Sequence, residues 1–248
     1  MENDKISLGK SRTATAEEKV IVPSISSGID KSIMTYYQPK GAIAEQYRTL
    51  RTNLKRINKE NPVKTIVLTS SVHNEGKSTT SVNLAIAMSY EKDRKILLID
   101  GDLRKSKVHL LLGMRNTKGL SELLNSQATA EEVIRNTKIS GLDIITSGAV
   151  PSDPSELLES QKMKDFLLSM KLQYDFIIVD TPPIIPLTDA AALGVNVDGV
   201  VMVVQTNRTK KEVVTQAENL LQQAGCNLLG FILTNVEYYI PSYYYKYV

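Results

Sequence analysis

Three short stretches of this chain carry residues that could do chemistry together. The first, "SVHNEGKSTT" over residues 71–80, offers Gly76, Lys77 and Ser78 after a β-branched apolar run, "KTIVLTS" (64–70), and ahead of a segment that reads as a helix. Strand, loop, Gly-Lys-Ser, helix is the setting of a phosphate-binding loop. Backbone N–H groups and a helix N-terminus cradle the anion, the lysine reaches the β- and γ-phosphates, and the hydroxyl holds Mg²⁺. The full pattern asks for glycine at position 71, where this chain has Ser71. Serine is acceptable if the position needs no positive φ, and Asn74 is one of the few residue types that enter the left-handed region cheaply. On its own the stretch also reads as a helix N-cap at Ser71 or Asn74.

The other two stretches favour the nucleotide reading. "ILLIDGDLRK" (96–105) ends an apolar strand in Asp100 and Asp102, and "FIIVDTPP" (176–183) ends another in Asp180. Acids that merely close strands as turn residues explain one such position, hardly three facing the same edge as Gly-Lys-Ser. Hard Mg²⁺ takes oxygen ligands and commonly sits between one or two carboxylates and substrate phosphates. The expected cradle is Ser71, Asn74, Glu75, Gly76, Lys77, Ser78 and Thr79, with Ser78, Asp102 and Asp180 toward the metal. No guanine-reading N-K-x-D occurs, and the last strand ends in Asn235, whose amide could pair with an adenine edge. ATP is therefore expected, although Asn235 also fits a plain strand-end turn.

The elements that must hold these residues alternate. Strands are expected at 64–70, 95–100, 142–146, 175–180, 199–205 and 228–234, and helices at 77–91, 129–137, 154–171, 188–195 and 209–224. A short helix or loop is expected through 103–126. Runs such as "KILLID", "DFIIVD" and "DGVVMVVQ" are apolar without alternation, as parallel strands covered on both faces must be. The fold class is α/β: one doubly wound, mostly parallel sheet, with ligands at the carboxyl ends of the strands. Ahead of it, Ile43, Tyr47, Leu50, Leu54 and Ile57 recur at helical spacing over 41–59. Residues 1–40 read as a mobile polar arm, 41–235 as the domain and 236–248 as a tyrosine-rich tail.

Composition narrows the function classes. A net charge of +3 over 248 residues, without a long basic block, gives no reason to expect nucleic acid. One cysteine, Cys226, excludes a disulfide framework and paired-cysteine metal or redox sites and suits a reducing cytosol. His73 and His109 lack the neighbours a metal ligand needs. The polar N-terminus has no signal-peptide core and no apolar tract is long enough to span a bilayer, so a soluble cytoplasmic protein is expected.

The ordered set "EQYRTLRTN", "EGKSTT", "LLIDGDLRK", "PSDPSELL", "DFIIVDTPP", "LGFILTN" and a terminal tyrosine cluster resembles the bacterial protein-tyrosine kinases (BY-kinases) of capsule and exopolysaccharide systems. These are P-loop proteins, and the likeness is to their stand-alone cytoplasmic form, from about residue 42 to the C-terminus. His73-Asn74 stands where that family usually has Pro-Gly, and Ser106 where it has proline. The resemblance implies ATP and Mg²⁺ as cofactors, Lys77 and Ser78 on the triphosphate, Asp100 orienting or deprotonating a tyrosine hydroxyl, and Asp102 and Asp180 on Mg²⁺. It implies that Glu45, Arg48 and Arg51, which share a helix face, close a ring with a neighbouring subunit. Tyr238, Tyr239, Tyr243, Tyr244, Tyr245 and Tyr247 would be autophosphorylated between subunits. It further implies a transmembrane chain-length regulator that recruits the protein to the inner face of the cell membrane, and a cognate protein-tyrosine phosphatase. Two alternatives share the fold: a partitioning-type ATPase, whose signature lysine would stand where this chain has Val72, and an ATP-binding scaffold without transfer.

Overall fold

The computed structural model describes residues 28–57, 60 and 62–236. Its centre is a seven-stranded sheet in the order β3-β4-β2-β5-β1-β6-β7, with strands β1 Thr65–Ser70, β2 Ile96–Asp100, β3 Arg135–Asn136, β4 Leu142–Ile145, β5 Phe176–Asp180, β6 Gly199–Gln205 and β7 Leu228–Thr234. All neighbours run parallel except β3, which pairs antiparallel with β4 at the edge. This bears out the doubly wound α/β class.

Alternate residues of each strand feed two cores. One face packs Val67, Leu97, Ile177 and Met202 against helices α8 Gln161–Gln173, α9 Asp189–Gly194 and α10 Lys211–Gln223. The other packs Ile66, Leu98, Ile178 and Val203 against helix α3 Lys77–Ser89. Burial on both faces is why the central strands read as unbroken apolar runs.

Local chemistry ends several elements sooner than periodicity suggests. The helix expected over 154–171 is two, α7 Pro154–Glu159 and α8, because Ser160 leaves helical geometry at ψ 151° and its hydroxyl caps Met163 N–H at 3.2 Å. The helix expected over 129–137 is one turn, α6 Ala130–Val133; Ile134 then extends and β3 pairs with β4. Between residues 103 and 126 lie two short helices, α4 Val108–Leu111 and α5 Leu120–Leu124.

Residues 28–40, expected within a mobile arm, are instead packed on the domain. Ile33 is fully buried, and a helical turn, α1 Met34–Tyr37, lies beside α3. The hub is Asn83 of α3. Its Oδ1 accepts from Thr35 N–H and Thr35 Oγ1, both at 2.9 Å, and its Nδ2 donates to Thr79 O at 2.9 Å and Ser32 O at 3.3 Å. Burying Ile33 favours docking by about 2–3 kcal/mol, and Asn83 satisfies backbone that the buried strap would otherwise leave unpaired. Helix α2 Ala42–Arg56 follows and also lies on α3.

The strap generates a stability prediction. Asn83→Ala orphans the buried Thr35 N–H and hydroxyl, so unfolding free energy is expected to fall by about 1–3 kcal/mol. Urea denaturation reads this as a lower midpoint at an unchanged slope; an unchanged midpoint would mean that the strap is not held through Asn83.

Candidate nucleotide and acceptor site

The sheet order places β5 between β2 and β1, so three chemistry-bearing strand ends become neighbours. In register, Asp100 of β2 stands opposite Asp180 of β5, and Asp180 opposite Leu68 of β1. The loop after β1 leads into α3, with Gly76 as its N-cap. Only Asn74 (φ 64°) and Gly76 (φ 90°) of that loop are left-handed. Ser71 is not, and its hydroxyl is buried against the Met202 sulfur at 3.8 Å. That is why glycine is dispensable at 71. It also leaves Ser71 outside the lining of the adjoining cavity, contrary to its expected place in the cradle.

Lys77 Nζ lies 3.1 Å from Asp102 Oδ2, 3.9 Å from Asp180 Oδ2 and 3.4 Å from Ser78 Oγ. Burial alone would lower the Lys77 pKa, but Asp180 and then Asp102 outweigh it, so its pKa is raised and it stays charged. Burial raises Asp180 against Lys77 and the Ser78 and Ser81 hydroxyls. Asp100 is pushed well up by burial and by its two carboxylate neighbours.

A cavity of about 350 Å³ opens here, lined by His73, Asn74, Gly76, Lys77, Ser78, Thr79, Asp102, Lys105, Lys107 and Leu111. A larger hollow of about 590 Å³ along α10 has none of these carboxylates, so the chemistry identifies the smaller one. Ser81 hydroxyl donates to Asp180 Oδ1 at 2.9 Å, while buried Asp180 Oδ2 has no hydrogen-bond partner. An orphaned carboxylate oxygen beside Ser78 suits the water shell of a Mg²⁺ ion whose other ligands are phosphate oxygens. Among the described residues no three His, Cys, Asp or Glu side chains converge to hold a metal by themselves.

Other expected site residues are arranged differently. Asp100 is 0% exposed and its oxygens accept from Val108 N–H at 3.1 Å and Asp102 N–H at 3.3 Å, so it sits behind the cavity wall and Asp102 forms the wall. Glu75, expected at the ligand, is buried facing the opposite way. Asn235 is exposed at the end of β7 with φ 54°. Arg104, just past β2, is tied to buried Asp189 of α9 at 3.1 Å and to Ser155 of α7 at 2.8 Å, which joins that loop to both helices.

On α2, Arg48 pairs with Glu45 through Nε at 2.7 Å. Arg51, expected on the same solvent-side or interfacial face, turns inward, where it donates to Ala87 O at 2.6 Å and meets Glu91 at 3.1 Å. The six tail tyrosines from Tyr238 to Tyr247 lie outside the described residues. Sequence reasoning missed Gln205, Arg208, Thr209 and Thr234, which grip the phosphate loop. Their only signal was a position at or just past the ends of the last two strands.

Comparison with known proteins matches an AAA domain family over residues 63–226. The tyrosine-protein kinase YwqD of Bacillus subtilis is 38% identical over 84% of this chain and 87% of its own. The putative tyrosine-protein kinase CapB of Staphylococcus aureus is 36% identical over 85% and 92%. Among solved structures, the kinase domain of the Escherichia coli tyrosine kinase ETK superposes with a TM-score of 0.82 at 33% identity, over 87% of this chain and 84% of that one. The septum site-determining protein MinD of Pyrococcus horikoshii, complexed with Mg-ADP, superposes with a TM-score of 0.59 at 28% identity, over 73% and 75%. No described helix is long and apolar enough to cross a membrane.

The raised Asp100 pKa has a definite pH signature. Below the ordinary aspartate value both folded and unfolded states hold the proton, so its contribution is intact; as pH rises, the unfolded state ionises first and stability is lost up to the raised value. Asp100→Asn removes that loss. Whatever constant offset the amide introduces, its stability relative to the parent is expected to improve as pH goes from about 4 toward 8. Parallel urea midpoints for the two proteins across that range would contradict the assignment.

Proposed function

Because the chain belongs to the bacterial tyrosine-protein kinases, we propose that it transfers the γ-phosphoryl of ATP to tyrosines of its own C-terminal tail, between subunits, and so regulates capsular or extracellular polysaccharide synthesis and export. The observation that carries it is the buried Lys77 held at 3.1 Å from Asp102 at the mouth of a phosphate loop. Phosphoryl transfer asks mainly for positioning and charge stabilisation. The Gly76 and Lys77 region would seat the β- and γ-phosphates, with Lys77 opposing the charge that develops on the transferred group. Mg²⁺, held by Ser78 and by Asp102 and Asp180 through water, would neutralise phosphate charge when bound. Asn235 would meet the adenine edge.

In the transfer, the tyrosine oxygen forms the new bond to the γ-phosphorus as the bond to the β–γ bridging oxygen breaks, and ADP carries that electron pair away. The phenolic proton passes to the Asp102 carboxylate. Asp102 lines the cavity and makes the contact. Asp100 stands behind it, accepting the Asp102 backbone N–H at 3.3 Å, and burial disfavours its charged form. This refines the expectation that Asp100 alone would reach the hydroxyl.

Tyr238, Tyr239, Tyr243, Tyr244, Tyr245 and Tyr247 are six of eleven tyrosines and crowd the final stretch of the sequence, which supports their role as repeated acceptors. The exposed Glu45–Arg48 pair on α2 supports a subunit contact in a ring-like homo-oligomer. A transmembrane chain-length regulator, which would bring the kinase to the inner membrane face, and a tyrosine phosphatase complete the proposed partners. Val72, where partitioning ATPases carry a lysine, weighs against that alternative.

Two measurements test these assignments. Lys77→Met should cut phosphotyrosine formation by at least about 10²-fold, the scale for removing one electrostatic stabiliser. Mixed with an active subunit truncated after Asn235, the Lys77→Met subunit should still be labelled, on residues 238–247. Label mainly elsewhere would refute tail transfer between subunits. Separately, reversing the exposed charge, Glu45→Arg, should leave the fold intact yet reduce oligomer mass in light scattering; Arg48 and Arg51 are unsuitable for this because Arg48 also donates to Pro39 O at 2.5 Å and Arg51 anchors α2 internally.

A further inference from the structure

Resting on the reading of the cavity as the ATP site, we infer that Glu75, Arg208 and Thr234 are positioning residues. They hold the phosphate loop from outside, turning two consecutive backbone amides toward the phosphates without touching the nucleotide. A carboxylate in this loop would repel a triphosphate if it faced the cavity. Glu75 does not; it is 1% exposed and absent from the cavity lining. Its Oε2 accepts from Val72 N–H at 2.9 Å, and its Oε1 from Gln205 N–H at 3.2 Å and Thr209 Oγ1 at 2.5 Å. The first bond closes the loop on itself. The other two fasten it to the end of β6 and the turn into α10.

The same region grips the loop's carbonyls. Arg208 Nη1 donates to Asn74 O at 2.6 Å and is itself steadied by Gln205 Oε1 at 2.9 Å. Thr234 Oγ1, at the end of β7, donates to Glu75 O at 2.8 Å. Among the described residues no peptide is cis, and a planar trans peptide sets each carbonyl opposite the following N–H. Drawing Asn74 O toward Arg208 therefore points Glu75 N–H away from it. Drawing Glu75 O toward Thr234 points Gly76 N–H away from β7, on the side where Gly76 and Lys77 line the cavity. Convergent amides of this kind form the anion cradle. Asn74, in the left-handed region, turns the chain just ahead of the first fixed carbonyl. Stiffness that the loop's own sequence does not supply thus comes from strands 130 to 159 residues away.

The alternative is that the exposed Arg208 guanidinium contacts the nucleotide directly, and paired substitutions separate the two. Arg208→Ala and Thr234→Val each remove one outside donor, whereas Thr234→Ser keeps the hydroxyl. Calorimetry with Mg-ADP and with pyrophosphate is the probe, alongside the KM for ATP. The expected result is an about tenfold weaker affinity for both ligands in Arg208→Ala and in Thr234→Val, the equivalent of one net hydrogen bond. Thr234→Ser should bind like the parent. KM for ATP should rise in step, with KM for a tail peptide unchanged, and the double variant should lose less than the product of the single losses. Parental pyrophosphate affinity in both single variants would overturn the inference. So would a loss confined to Arg208→Ala, which would make that residue a direct ligand. Binding is read without an acceptor, so a parent that binds Mg-ADP but forms no phosphotyrosine would sink the kinase reading and leave this one standing.

Discussion

A buried cation among three buried carboxylates is the constraint on which this structure turns. Lys77 lies at the start of α3, while Asp102 and Asp180 approach it from the ends of two different strands and Asp100 stands behind them. Removing such charges from water is expensive unless each is opposed at short range. Here that opposition requires β2, β5 and β1 to lie side by side, with α3 seated on the sheet so that its first residue points into the gap. One register step in β5 would replace Asp180 by an apolar neighbour and leave Lys77 short of its strongest opposing charge. Three carboxylates and one ammonium also leave formal negative charge over. That excess is eased in part by the raised Asp100 pKa, and it is the kind of imbalance a divalent cation would offset.

Helix α3 transmits this constraint to the rest of the molecule. Its first turn carries Lys77 and Ser78, Ser81 reaches Asp180, and Asn83 holds the strap from residue 32 to 35. Near its end, the Ala87 carbonyl and nearby Glu91 receive Arg51 from α2. The same helix therefore touches the phosphate loop, the N-terminal strap and the helix proposed to meet a neighbouring subunit. A displacement of α2 against α3 has a direct mechanical path to Lys77 and Ser78 at the start of α3, because the packed helix moves as one body.

Much of this was legible in the amino-acid sequence. The central strands announced themselves as apolar runs bounded by acids, and α3 followed from its Gly-Lys-Ser start; such signals lie within a few residues of one another. Less was legible where an element's fate depends on a distant partner. Nothing within 129–137 says that the chain leaves helix to pair with β4, and Ser160 is an ordinary residue until its hydroxyl caps the next helix. The polar strap reads as an arm because its buried residues, Ile33 and Thr35, find their partners only in the folded chain, Thr35 on an asparagine 48 residues on.

The same division runs through the site. Residue types alone grouped Lys77, Ser78, Asp102 and Asp180 as one expected phosphate and metal set, and the structure brings them together. Sequence could not determine which side chains face the ligand. Glu75 and Ser71 stand within the motif yet point away from the cavity, Asp100 is sealed beneath two backbone amides, and Arg51 turns inward from the helix face it shares with Arg48. Those directions were decided only by the tertiary structure. The donors that fix Glu75 come from the ends of β6 and β7, which sheet pairing brings together across more than half of the chain.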